Sequence, residues 1–237
     1  KAMIDRRSKY GSSAKAFEIW KNHLVSMGYG YKLGVDLPGE SRGFIPNAKF
    51  YDKFYSEGRW SANTIISVSI GQGEILSTPI QIANLSATIA NRGWFITPHV
   101  VKEIQDTVMP AEILDRRYPT IEAHYYADVA EGMRMAVTGG TCRRAAIPGI
   151  EVCGKTGTAQ NPHGKDHSAF MGFAPYTDPK IAVAVYVENG GWGATYGVPI
   201  GSLVMEKYLT GKIAPERKYM EDQMINSSII YAAPKKK

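Results

Sequence analysis

The chain has 237 residues, 44% of them apolar and 11% aromatic, which is enough for one domain of ordinary size with a real core and too apolar for a disordered chain. Its formal net charge of +6 is modest and partly gathered at the ends, Lys1 to Lys15 and Lys235 to Lys237, and no basic stripe is interleaved with stacking aromatics, so nucleic acid is not an expected partner. Two cysteines are too few for a disulfide scaffold, and no apolar run is long enough to span a bilayer.

Lys1 to Gly11 reads as polar and irregular, with no initiator Met and no signal peptide, so the chain reads as the later part of something longer. Ser12-Ser13-Ala14-Lys15 opens a helical pattern with Phe17, Trp20, Leu24 and Met27 on one face and Gly28 as its stop. Gly28 to Glu40 is too rich in Gly and Pro for regular structure and turns at Pro38-Gly39. Phe44 to Trp60, rich in aromatics and alternating charges, reads as a lid or flap laid over the domain. Ile65 to Ile70 is short and apolar and leads into Gly71-Gln72-Gly73-Glu74, which lacks the Lys-Ser/Thr of a phosphate loop and reads as a turn.

Thr78 with Pro79 predicts a capped helix with Ile82, Leu85 and Ile89 buried and Gly93 closing it after Asn91. Trp94 to Ile104 reads as an edge strand or extended pair, limited by Pro98. Thr120 is expected to cap another helix, with Val129, Met133 and Val137 inward and a stop at Thr138-Gly139-Gly140-Thr141. Ser168 to Ala174 and Lys180 to Glu188 read as alternating strands of a hairpin. Pro199 starts a last helix with Ile200, Leu203 and Val204 inward and Gly211 at its end. Residues 214–237 read as a charged tail, ordered only in part.

The chemistry gathers at Ile150 to Gln160, where alternating apolar residues lead into Lys155-Thr156-Gly157-Thr158, a strand whose far end is polar. Lys155 supplies a fixed cation. Thr156 and Thr158, two apart, lie on one side of a strand and suit a substrate carboxylate. Gly157 lets a substrate backbone lie alongside, and the Thr158 N–H is a candidate oxyanion donor. Lys-Thr-Gly belongs to the motif set of serine acyl-enzymes that react with β-lactams.

This stretch, the two strands after it, the Gly-Gln-Gly segment and above all Gly28-Tyr29-Gly30-Tyr31-Lys32-Leu33-Gly34-Val35-Asp36-Leu37-Pro38-Gly39-Glu40 resemble the later part of the transpeptidase domain of class B penicillin-binding proteins. The resemblance implies an α/β (α+β) fold related to the β-lactamases, with helices packed on an antiparallel sheet that carries the Lys155 strand at its edge. Residues 1–213 would be the C-terminal part of that domain, incomplete on its N-terminal side. It implies D-alanyl-D-alanine transpeptidation of peptidoglycan without a cofactor. Stem peptides and β-lactams would be the ligands, and membrane cell-wall synthesis proteins the partners. The location would be the periplasmic side of the bacterial inner membrane, with an anchor outside these residues. Lys155 would be catalytic, and Thr156, Gly157 and Thr158 would bind substrate. A β-lactamase, a β-lactam sensor or a non-catalytic cell-wall scaffold remain alternatives.

Such an enzyme also needs a Ser-x-x-Lys and a Ser-x-Asn. Ser12-Ser13-Ala14-Lys15 and Ser61-Ala62-Asn63 fit as text, but Ser12 or Ser13 reads better as a helix cap. The eleven residues before Ser12 are too few to supply two strands behind a nucleophile, and in the family the Gly-rich segment follows both motifs. The nucleophile and its partners are therefore expected upstream of Lys1. His163 and His167 with Asp166 read as a solvated polar loop rather than a metal site, Cys153 reads as a small buried hydrophobe, and a Cys142–Cys153 bridge stays open.

Overall fold

The computed structural model describes residues 3–5 and 7–229, residues 7 and 8 by their backbone alone. The chain forms two compact units, Lys1–Tyr125 and Tyr126–Lys237.

The first unit is helical and irregular. After a single turn, α1 (Arg7–Tyr10), comes α2 (Ser13–Ser26), where the Ser12 hydroxyl accepts from the Lys15 N–H at 3.2 Å, the cap expected from the sequence. Its Phe17 enters a cluster with Tyr51, Trp60, Ile65 and Val68. The Phe44 to Trp60 segment is not a flap. Asn47 accepts from Phe50 N–H at 2.8 Å and caps α3 (Ala48–Tyr55), and Tyr51 and Trp60 are each 1% exposed. Their polar tips explain why a charged, aromatic segment can be core: Tyr51 donates to Glu74 at 2.8 Å and Trp60 to Asp52 at 2.9 Å, while the rings pack inward. Ile66–Ile70 is a 3-10 turn that ends on left-handed Gly71.

Helix α4 (Pro79–Ala90) has the expected cap, completed as a reciprocal box by Gln81. Its buried stripe differs from expectation, since Ile82 and Leu85 are only half-buried whereas Gln81, Asn84 and Thr88 are buried. The reason is the irregular backbone beside it. Gln81 donates to the carbonyls of Tyr31 and Arg42, both at 3.0 Å, and Asn84 to that of Met27, so a polar stripe satisfies loop carbonyls that have no strand partner. Acidic side chains do the same for N–H groups. Glu40 accepts from Leu33, Gly34 and Val35, and Asp36 from Val100 and Val101. Those last two bonds replace the edge strand expected over Trp94 to Ile104, where only the isolated bridges Phe95↔Arg117 and Ile104↔Thr107 form. After α5 (Ala111–Leu114) comes α6 (His124–Thr138), which begins four residues past the expected cap because Thr120 is engaged by His23 and Ser26. On α6, Ala130, Met133 and Val137 are buried, but Val129 is 47% exposed.

The second unit is built on an antiparallel sheet in the order β1-β2-β3, namely β1 (Cys153–Ala159), β2 (His167–Ala174) and β3 (Ile181–Val187). The register pairs Thr156 with Phe170 and Phe170 with Val185. Helix α7 (Gly197–Thr210) covers the face bearing Phe170; a Cβ on Gly201 would come within 2.5 Å of that ring, so the helix lies flat on the sheet. Its inward residues are Val198, Gly201, Ser202 and Met205 as well as the expected Leu203, while Val204 is 48% exposed and Ile200 half-buried.

The segment beyond Ile213 is folded through the last described residues. It forms a 3-10 turn (Pro215–Arg217) and α8 (Lys218–Ile225), and residues 230–237 of the expected tail lie outside the described residues. Its anchor is Arg217, buried and paired with buried Glu206 at 2.8 Å, with Ser202 as a further acceptor. Composition hid this, because a charged stretch can be fixed by one desolvated pair. His167, expected in a solvated loop, starts β2, and its Nδ1 accepts from Asn189 N–H at 2.9 Å. Cys142 and Cys153 are both buried and form no disulfide.

Candidate active site

The sequence expectation places the site on β1, an edge strand among the described residues. Alternation along the strand puts Thr156 and Thr158 on the face of Phe170 and Ser168, and Lys155 and Gly157 on the other face. The edge reunites them. Lys155 is exposed and its ammonium curls to the Thr156 carbonyl at 2.7 Å. The Thr156 N–H is directed away from β2, toward the Cys142 sulfur. Because N–H groups two residues apart in a strand share a side, the Thr158 N–H lies along the same outer edge. Gly157 is tight where a side chain would start, since a Cβ there would sit 3.3 Å from that of Ala169, its partner on β2.

The hydroxyls are held from outside the strand. Gly193 N–H donates to Thr158 Oγ1 at 3.2 Å, and Gly193 is itself placed by the loop between β3 and α7, where Ser168 donates to the Trp192 carbonyl at 2.8 Å and accepts from Gly197 N–H at 3.0 Å. Thr156 Oγ1 meets Thr141 Oγ1 at 3.1 Å. Sequence reasoning missed Gly193, Thr141 and Cys142. Thr141 stood out only as part of a helix stop, and no periodicity relates it to a strand residue fifteen positions on.

The edge therefore combines a cation, two hydroxyls and outward N–H groups, which suits an anionic ligand whose backbone lies along the strand. Burial pushes the neighbouring Cys142 thiol above its usual range, so it is a neutral neighbour and not a nucleophile. Elsewhere, Ser12 is occupied as the α2 cap, and the Ser61 N–H donates to Thr64 within a turn. Among the described residues no cluster of three or more His, Cys, Asp or Glu is placed to hold a metal ion, and no helix is long and apolar enough to cross a membrane.

Comparison with known proteins bears on the family and the fold. Residues 13–206 match the family model for the penicillin binding protein transpeptidase domain. The peptidoglycan D,D-transpeptidase MrdA of Haemophilus influenzae is 32% identical over 219 residues, covering 84% of this chain and 34% of that protein. The MrdA of Acinetobacter baumannii is 35% identical over 193 residues, covering 73% and 28%. Among solved structures, Pseudomonas aeruginosa PBP2 in complex with WCK 5153 superposes with a TM-score of 0.69 at 34% identity, covering 86% of this chain and 46% of that one. PBP2 of Helicobacter pylori in its complex with MreC gives 0.67 at 28% identity, covering 82% and 36%. The chain thus spans about a third of the length of the curated relatives it matches. A mixed α/β fold, an antiparallel sheet edged by the Lys155 strand and a family match across most of the chain lead to one conclusion: the chain belongs to the penicillin-binding protein transpeptidase domain family.

Proposed function

We propose that these residues form one wall of the cleft of a peptidoglycan D,D-transpeptidase of the PBP2 type. In that reaction a serine hydroxyl adds to the penultimate D-Ala carbonyl of a stem peptide, and the leaving terminal D-Ala takes up a proton. The acyl group then passes to an amine of a second stem peptide, which frees the serine. β-Lactams stop at the acyl stage because no leaving group departs from the site. The nucleophile, its Lys partner and the Ser-x-Asn would come from a part of the protein outside these 237 residues, a reading supported by the capping role of Ser12.

The observation that carries the proposal is the outer edge of β1, with the Lys155 ammonium against the Thr156 carbonyl and two hydroxyls beside it. There Lys155 orients the proton-shuttling serine, Thr156 and Thr158 hold the terminal carboxylate, Gly157 leaves room for the peptide backbone, and the Thr158 N–H polarises the carbonyl oxygen. No cofactor takes part. MrdA and PBP2 relatives support a location on the periplasmic side of the inner membrane, anchored by a segment outside these residues, and the solved PBP2–MreC complex supports cell-wall synthesis proteins as partners.

The test is Lys155→Ala in the full-length protein. Acylation by a fluorescent penicillin is expected to slow by ~10²-fold, the scale of removing a preorganised charged group from a site, with little change in thermal stability because the side chain is exposed. Labelling at the wild-type rate would remove Lys155 from the site.

A further inference from the structure

The Thr156 hydroxyl has one proton to give, and what it can bind depends on where that proton points. It meets the Thr141 hydroxyl at 3.1 Å. Thr141 is exposed, yet its position is fixed from both sides by the chain. Gly140 and Cys142 both donate to the Ala136 carbonyl, at 3.1 and 2.9 Å, which folds the end of α6 back on itself. A Cβ on Gly140 would come within 2.8 Å of the Ala136 backbone, so only glycine allows that return. The next residue, Cys142, is fully buried in the core with Val152 and Phe170, and its sulfur receives the Thr156 N–H. Thr141 is thereby held against β1 by a turn that also grips the backbone of the residue whose hydroxyl it meets.

We propose that Thr141 is a positioning residue for carboxylate recognition: it donates its hydroxyl proton to Thr156 Oγ1 and so turns the Thr156 proton outward to the ligand's carboxylate. Thr141 also lies against the Cys142 thiol. Sulfur is a weak acceptor, so the Thr141 proton goes to the oxygen of Thr156. Thr158 is served in the same way by a backbone donor, the Gly193 N–H at 3.2 Å. The two binding hydroxyls are then each oriented by one donor from outside the strand, one from the α6 turn and one from the loop before α7. The inference rests on the proposed role of Thr156 and Thr158.

The experiment measures second-order acylation rates of the full-length protein with benzylpenicillin and with its methyl ester, which lacks the carboxylate. Thr141→Val is expected to slow the acid by about tenfold, the scale of a weakened hydrogen bond to a charged group, and to leave the ester unchanged. Thr141→Ser, which keeps the donor, stays within about twofold of wild type on both. Thr156→Val loses at least as much on the acid, and Thr141→Val/Thr156→Val is no slower than Thr156→Val alone, because Thr141 acts through Thr156. Equal losses on acid and ester, a wild-type rate for Thr141→Val, or additive losses in the double variant would each overturn the positioning role. Thr156→Val that reacts like wild type on both probes would instead remove the carboxylate role of Thr156, and this inference with it.

Discussion

The two units solve the same problem, the pairing of backbone groups, by different means. In Tyr126–Lys237 the ladder β1-β2-β3 pairs its own N–H and C=O groups, and α7 has only to cover one face. In Lys1–Tyr125 no strand runs through the described residues, and side chains take over. Gln81 and Asn84 reach loop carbonyls, while Glu40 and Asp36 collect loop N–H groups. A sheet is tolerant of which polar residue stands where; a loop fold held by four side chains is not. The proposed site suits the sheet for this reason, since an edge strand keeps outward N–H groups in line without help from a ligand.

Three substitutions in the full-length protein test this contrast, in falling order of expected effect. In the second unit the C-terminal segment is fixed outside the ladder by side chains, the buried Glu206–Arg217 pair. Arg217→Ala leaves a buried carboxylate without its cation and is expected to cost about 3–5 kcal/mol in urea unfolding, whereas the paired change Glu206→Leu/Arg217→Met costs far less. Equal costs for both would mean that the pair is not desolvated. In the first unit, Gln81→Leu strands the carbonyls of Tyr31 and Arg42 and the Thr78 N–H, for an expected loss of about 2–3 kcal/mol. A loss below about 0.5 kcal/mol would show that loop carbonyls there find water instead.

The smallest effect is a pH dependence. The N–H groups of Val101 and Val100 hold the Asp36 carboxyl below its usual range. A depressed folded value means that the carboxylate stabilises the fold fully above the unfolded value of about 4 and loses that contribution as pH falls through the lower folded value. Asp36→Asn is therefore expected to be less stable than wild type at neutral pH, with the gap closing on acidification below about pH 4. A gap that stays constant to pH 2 would mean that the charge plays no part in those bonds.

What the sequence revealed divides along the same line. The ladder unit was legible because alternation is periodic. The β1 to β3 strands and the hairpin at 175–179 fall where the pattern puts them, and Gly211 ends α7. Caps were legible where a hydroxyl stands immediately before Pro or an apolar run, as at Ser12 and Thr78. Thr120 misled because the same hydroxyl chemistry serves a distant contact, to His23 and Ser26. The polar stripe of α4, the aromatic core at Tyr51 and Trp60 and the folding of 214–229 all depend on partners far along the chain, which periodicity does not encode. At the site, Lys155 to Thr158 announce themselves as a motif, but the groups that hold them, Thr141, Cys142 and Gly193, come from turns whose proximity only the fold creates.

The most direct test of the β1 edge as a substrate wall is the crystal structure of the full-length protein acylated by a β-lactam. The predicted result is a ligand carboxylate within about 3 Å of the Thr156 and Thr158 hydroxyls, and an acyl oxygen bonded to the Thr158 N–H. A covalent adduct whose carboxylate and acyl oxygen both lie away from β1 would contradict it.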